Sequence, residues 1–236
     1  CKKYLAKTRE KDIATVYLGL VHRLDRVTSG VIIYAKTSKA ASRLSADFRD
    51  RLVQKTYVCV VNGSMNDKDK TGELKNTMVQ VQVQNSNQGK GKGKNGVNKS
   101  KIVDEINNNA QKAHLSYEKI CRINSEYTRD KEQHLLSIMP STGRKHQIRL
   151  QLSHRGWPIV GDIKYGAPQR FAVERDIALH SLTTSIRHPT SRSREGEKDE
   201  IWLTFSAPLP DIWRKRFGPE VVLACENVAK KNCGKE

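Results

Sequence analysis

The sequence has no long hydrophobic run. Its longest apolar stretch, Val31-Ile32-Ile33-Tyr34-Ala35, falls far short of the roughly 20 residues that cross a bilayer as a helix. No apolar segment opens the chain, so no secretory signal is read. The first residue is Cys1 rather than Met, and a fragment of a longer protein is expected. Cysteine is scarce and unpaired in pattern: five residues, at 1, 59, 121, 225 and 233, with no C-x-x-C. That excludes a disulfide framework and a zinc ribbon, and points to a reducing, intracellular compartment. The histidines lack a ligand spacing such as H-E-x-x-H, and the Gly-Lys repeats do not fit G-x-x-x-x-G-K-[ST]. No metal and no organic cofactor are therefore expected. Acidic residues are also in short supply. Asp and Glu number 25 against 43 Lys and Arg, a net charge of +18. Such an excess suits a polyanion, and nucleic acid fits better than a membrane surface. Hydrophobic residues make up 36% and the mean hydropathy is −0.67, so a core is possible under a heavy polar load.

The pattern along the chain predicts an α+β fold with a mixed, largely antiparallel sheet and flanking helices. Residues 31–35 read as a buried strand after Gly30. Thr37 or Ser38 caps a helix that places Ala41, Leu44, Phe48 and Leu52 on one face. Residues 55–61 form a β-branched strand stopped by Asn62-Gly63. The character then changes. Residues 64–112 hold long polar tracts, and 85–101 carry five lysines and no acid. Such a stretch buries too little apolar surface to offset its ordering entropy. It is expected to be a largely disordered insertion flanked by short hairpin strands, and removing 66–110 is expected to spare the fold. Strands are predicted at 113–123, 132–139, 177–186 and 200–205. A helix is predicted in HQIRLQLSHR before Gly156, and a short one over 211–217. The domain reading is a catalytic unit of 1–63 plus 113–220, with 221–236 as a C-terminal tail.

His22-Arg23-Leu24-Asp25-Arg26-Val27-Thr28-Ser29-Gly30 resembles the signature of the RluA family of pseudouridine synthases, H-R-L-D-x-x-T-S-G, at every fixed position. The resemblance extends to Lys55-Thr56-Tyr57, to Thr142-Gly143-Arg144-Lys145-His146-Gln147-Ile148-Arg149, to Pro158-Ile159-Val160-Gly161-Asp162 with Tyr165-Gly166, and to Leu179-His180-Ser181. These motifs run in order through residues 20–210. Only 21 residues precede the signature, so the family's N-terminal strands are expected to be missing, and 64–112 is longer than the usual connection.

The resemblance implies isomerisation of specific uridines in ribosomal or transfer RNA. The N1–C1′ bond breaks, the base turns, and it rebonds through C5. An anionic carboxylate at C1′ serves as nucleophile or as base, and an adjacent arginine favours its charged form. By resemblance Asp25 is that carboxylate, Arg149 its ion-pair partner, and Tyr57 packs on the base. A paired base must be flipped out to be reached, and Arg23 is implied to fill the space. Arg26, Arg144 and Lys145 are candidate RNA contacts. Each residue has a plainer reading. Asp25 ahead of Thr28, Ser29 and Gly30 fits a turn carboxylate capping backbone N–H groups. Arg149 fits a phosphate contact, Tyr57 an ordinary strand aromatic, and Arg23 a surface base. His22, His146 and His180 read as structural hydrogen-bonding residues. At the level of function, a basic RNA-binding module without chemistry is the alternative, and the presence of Asp25, Tyr57 and Arg149 together argues against it. A glycoside hydrolase fails for want of a second acid near any motif. The protein is expected to be a monomer with RNA as its partner.

Overall fold

Lys55 to Val61 becomes the middle of a long strand because its β-branched side chains find neighbours on both sides. In the computed structural model, which describes residues 1–83, 97–104, 109–124, 126, 132–171, 176–190 and 201–233, this strand, β4 (Gln54–Asn62), lies between β8 (Gln133–Pro140) and β9 (Leu179–Arg187). Val58, Cys59, Val60 and Val61 are fully buried, as are Leu135, Leu136 and Ile138 opposite them. A strand covered on both faces reads as an unbroken apolar run.

Among the described residues the main sheet has eight strands. Its path runs β10 (Trp202–Ser206), β9, β4, β8, β7 (Gln111–Arg122), β5 (Thr71–Val83) and β6 (Val97–Val103). The short β2 (Ser29–Gly30) joins β9 in parallel and every other pairing is antiparallel. β1 (Gly19–Leu20) and β3 (Tyr34–Ala35) form a separate small ladder. The helices are α1 (Lys2–Thr8), α2 (Ser38–Arg49), α3 (Gln147–His154), α4 (Asp211–Phe217) and α5 (Pro219–Cys233). Thr37 caps α2 by accepting from the Ala40 N–H at 3.2 Å, as its position ahead of the periodic apolar residues predicts. The α+β class read from the sequence is the class observed. No helix among the described residues is long and apolar enough to cross a membrane.

Three expectations are corrected. The run 31–35 pairs only at Tyr34 and Ala35. Val31, Ile33 and Ala35 are buried while Ile32 is 40% exposed, so one side faces out and the strand is half-buried. The described residues of 64–112 do not form an unstructured insertion. They supply β5, thirteen residues long, and β6. β5 pairs with β7 from Thr71–Glu118 to Met78–Gln111. Thr71, Glu73 and Lys75 face solvent in alternation with less exposed residues. Polar composition misled because a strand with one wet face needs an apolar residue only at every second position, and its backbone is satisfied by the neighbour. The Gly-Lys tract at 89–94 lies outside the described residues. Finally, 221–233 is no tail. It belongs to α5, whose Val221 and Cys225 enter the main core beside Trp213 and Phe217.

Candidate active site

The HRLD loop is held from both ends. His22 stacks on Phe48 of α2 at 4.5 Å between ring centres. Its Nε2 accepts the Ile33 N–H at 2.8 Å, which leaves the proton on Nδ1. Burial, with Lys55 nearby, takes this imidazole down to about 4, so it is neutral at pH 7. At the other end the Ser29 hydroxyl meets His180 Nδ1 at 2.8 Å, and His180 Nε2 lies 3.2 Å from the Ala207 carbonyl. A carbonyl only accepts, so Nε2 carries the proton and Ser29 donates to Nδ1. Gly30, at φ +115°, lies against β9, where a Cβ would collide with the Ser181 carbonyl. Only glycine permits that approach.

These fixings present Asp25 to a cleft of about 860 Å³. The Thr28 N–H is accepted by the Asp25 backbone carbonyl at 2.9 Å. The carboxylate is left for other partners, which disfavours the capping reading. Its Oδ2 lies 3.5 Å from Arg149 Nη1 and its Oδ1 lies 4.0 Å from His146 Nε2. The Asp25 side chain keeps a quarter of its surface exposed, enough for a substrate atom to reach it.

Arg149 has a closer partner that the sequence did not single out. Its Nε and Nη2 donate to both oxygens of Asp162 at 2.7 and 2.8 Å. This two-point pairing fixes the guanidinium plane, and both side chains are buried. The Tyr165 ring lies 5.0 Å from the Arg149 guanidinium carbon. Nη1 is the atom left to face Asp25. The helix itself starts from a turn locked by its own polar groups. Gln147 Oε1 accepts from the Thr142 hydroxyl at 2.7 Å and from the Arg144 N–H at 3.0 Å, while its Nε2 donates to the His114 carbonyl. His146 precedes the helix in the left-handed region, at φ 56°. Burial brings its imidazole down to about 4, against the pull of Asp25 and with help from Arg149.

Tyr57 enters the same cleft from β4, beside an irregularity in the β4–β9 register between Thr56 and Tyr57. Such bulges re-aim a side chain. Burial raises its phenol, a hydrogen bond with Ser181 opposes this, and the charge of Asp25 adds to it. Among the four candidate RNA contacts, Arg23 and Arg144 line the cleft. Arg26 is exposed away from it, and Lys145 lines a smaller pocket beside β6. Arg49, Arg51 and Lys55 also border the cleft; Lys55 opens the Lys55-Thr56-Tyr57 motif, while the signal of Arg49 and Arg51 in the sequence was only their charge. The cleft thus holds an accessible carboxylate, a fixed guanidinium, a protonated phenol and a basic rim. That set can carry out anionic attack on an electron-poor carbon of a polyanion. Among the described residues, no group of three or more His, Cys, Asp or Glu could hold a metal ion.

Known proteins resemble the chain along most of its length. A family model described as RNA pseudouridylate synthase matches residues 2–154. The dual-specificity RNA pseudouridine synthase RluA of Pasteurella multocida is 32% identical over 187 residues, covering 79% of this chain and 71% of that protein. The tRNA pseudouridine synthase C of Haemophilus ducreyi is 29% identical over 209 residues, 84% of this chain and 74% of that one. The ribosomal large subunit pseudouridine synthase C of Buchnera aphidicola is 33% identical over 207 residues, 84% of this chain and 55% of that protein. Among solved structures, human RNA pseudouridylate synthase domain containing 4 superimposes with a TM-score of 0.62 at 23% identity, over 94% of this chain and 81% of that one; at that identity the likeness bears on fold. The motif-bearing cleft, the sheet that builds it and these relatives agree: the chain belongs to the RluA-type family of RNA pseudouridine synthases.

Proposed function

We propose that this protein isomerises uridines in ribosomal or transfer RNA, with Asp25 attacking the ribose at C1′ or removing a sugar proton to the same end. The observation that carries this reading is the Asp25 carboxylate at the cleft, one oxygen 3.5 Å from an arginine whose other nitrogens are already taken by Asp162. An arginine held this way orients the carboxylate without consuming it. The N1–C1′ bond breaks, C5 bonds to C1′, the C5 proton leaves and N1 gains one, so the reaction is balanced with no co-reactant. Tyr57 packs on the base and stands near the C5 proton. Base flipping brings the uridine into the cleft, with Arg23 entering the vacated stack and Arg144 meeting phosphate. Arg26 and Lys145 lie outside the cleft and serve the flanking backbone. The chemistry needs neither metal nor organic cofactor. The protein acts in this reading as a monomer inside the cell, where its RNA is. The names of the relatives cover both tRNA and ribosomal RNA. Nothing favours an RNA-binding module without chemistry.

Purified protein incubated with transcribed tRNA and ribosomal RNA, followed by nucleotide-resolution mapping of pseudouridine, tests the reading. Conversion at discrete uridines is expected. Tight binding of RNA with no conversion at any uridine would contradict it.

A further inference from the structure

β6 lies at the end of the sheet path, so one side of its backbone has no neighbouring strand among the described residues. There Ser100, buried at 1% exposure, reaches toward the loops around Asp25. Its hydroxyl donates to the Lys145 carbonyl at 2.9 Å, on the residue next to His146. Its backbone also lies close enough to the Tyr165 phenol to oppose, in part, the effect of burial on it. The phenol oxygen lies 2.8 Å from His146 Nδ1, and His146 Nε2 faces Asp25 at 4.0 Å.

The hydrogens in this chain have one consistent arrangement. Tyr165 is buried, and burial raises its phenol, so it is protonated at neutral pH. If His146 Nδ1–H donated to its oxygen, the phenolic hydrogen would be left without an acceptor in a buried site, which is unfavourable. If instead the phenol donates to Nδ1, the phenolic hydrogen is used and the imidazole proton sits on Nε2, on the side that faces Asp25. The opposite tautomer would also point a lone pair at the Asp25 carboxylate.

We propose that Ser100 and Tyr165 are positioning residues for the reaction, setting His146 as the Nε2–H tautomer so that it presents a donor to Asp25 Oδ1 while Arg149 presents one to Oδ2. Each carboxylate oxygen then faces its own donor, and the orientation of attack depends on a strand from the polar stretch 64–112. The inference rests on the reading that Asp25 does the chemistry.

Nitrogen-15 NMR of the imidazole in RNA-free protein, with His146 assigned by the signal lost in His146→Gln, tests the geometry without turnover. Nε2 is expected to be protonated and Nδ1 unprotonated. Tyr165→Phe keeps the ring beside Arg149 and removes the hydroxyl. It is expected to yield a mixture of tautomers, with kcat down by at least about tenfold and KM for RNA unchanged. Ser100→Ala keeps the backbone and is expected to leave the tautomer as in the wild type. A wild-type His146 protonated on Nδ1 would overturn the proposal, whether or not Tyr165→Phe folds. So would a folded Tyr165→Phe with wild-type kcat. If wild-type protein converts uridine but carries the wrong tautomer, the relay fails and the enzymatic reading stands. If it converts none, the reading fails and the relay's role in catalysis fails with it.

Discussion

Two parts of the sheet are held by different forces. Around β4 the side chains do the work: Val58 to Val61 are fully buried and pack against Leu135, Leu136 and Ile138. The β5–β6 hairpin buries Met78 and Val79 and rests Leu74 against the core, and otherwise holds on through backbone pairing and polar contacts. Gln151 of α3 donates to the Leu74 carbonyl at 2.9 Å and to Asn76 Oδ1 at 2.8 Å. Arg155 pairs with Asp69 at 3.0 Å, and Ser100 holds the Lys145 carbonyl. All three reach α3, the helix that carries Arg149, or the residues that flank it. The difference teaches that a stretch poor in apolar residues is structural when it satisfies polar groups on a neighbouring element.

Excising 71–110 and joining Lys70 to Gln111 by a short turn strains that comparison most. It exposes the β7 edge, removes among others Leu74, Met78 and Val79, worth about 1.5–3 kcal/mol each when buried, and strips Gln151 of two acceptors. The combined loss, above about 5 kcal/mol, matches the whole stability of many domains. Urea unfolding followed by circular dichroism is expected to find no folded baseline. A cooperative transition close to wild type would make the hairpin an ornament.

Asp162→Asn acts inside the motif half. It breaks a buried two-point ion pair, a change that typically costs about 3–5 kcal/mol, and frees Arg149 to turn toward Asp25. The unfolding free energy from denaturant titration is expected to fall by that amount, with kcat reduced as well. A smaller effect than from Asp25→Asn would mean that Asp25, not Asp162, anchors the arginine.

Acid has the mildest effect and is also unequal between the regions. His22, His146 and His180 bracket the signature loop, and burial lowers all three. Between the ordinary 6.5 and about 4 for His22 and His146, the unfolded chain binds protons that the folded one refuses. Stability therefore falls as pH drops through that window and is restored above it. Thermal midpoints across pH 7 to 4.5 are expected to decline steadily, and replacing His22 with Gln is expected to flatten the decline. A flat profile in the wild type would contradict the neutral, buried assignment.

Asp25, Tyr57 and Arg149 were legible because their motifs carry fixed spacings, and they line one cleft. β4, β7, β8 and α4 were legible from apolar period and from flanking Asn-Gly and Pro. Asp162 and Tyr165 sat inside a recognised motif with no sign of their role, since a pairing across 13 residues depends on how a loop folds back. The length of the hairpin, expected only as short flanking strands, and the helix α5 were under-read for one reason. Composition counts residues over a window, whereas burial depends on which face meets the sheet.

The most direct measurement of the central claim is the release of a labelled C5 hydrogen from uridine by Asp25→Asn. Arg149 keeps Asp162 as its close partner and Asp25 is partly exposed, so the stability change is expected to stay under about 1 kcal/mol. The variant is expected to be folded, to bind RNA as the wild type does, and to release no label. Release at the wild-type rate by a folded, RNA-bound variant would remove Asp25 from the chemistry.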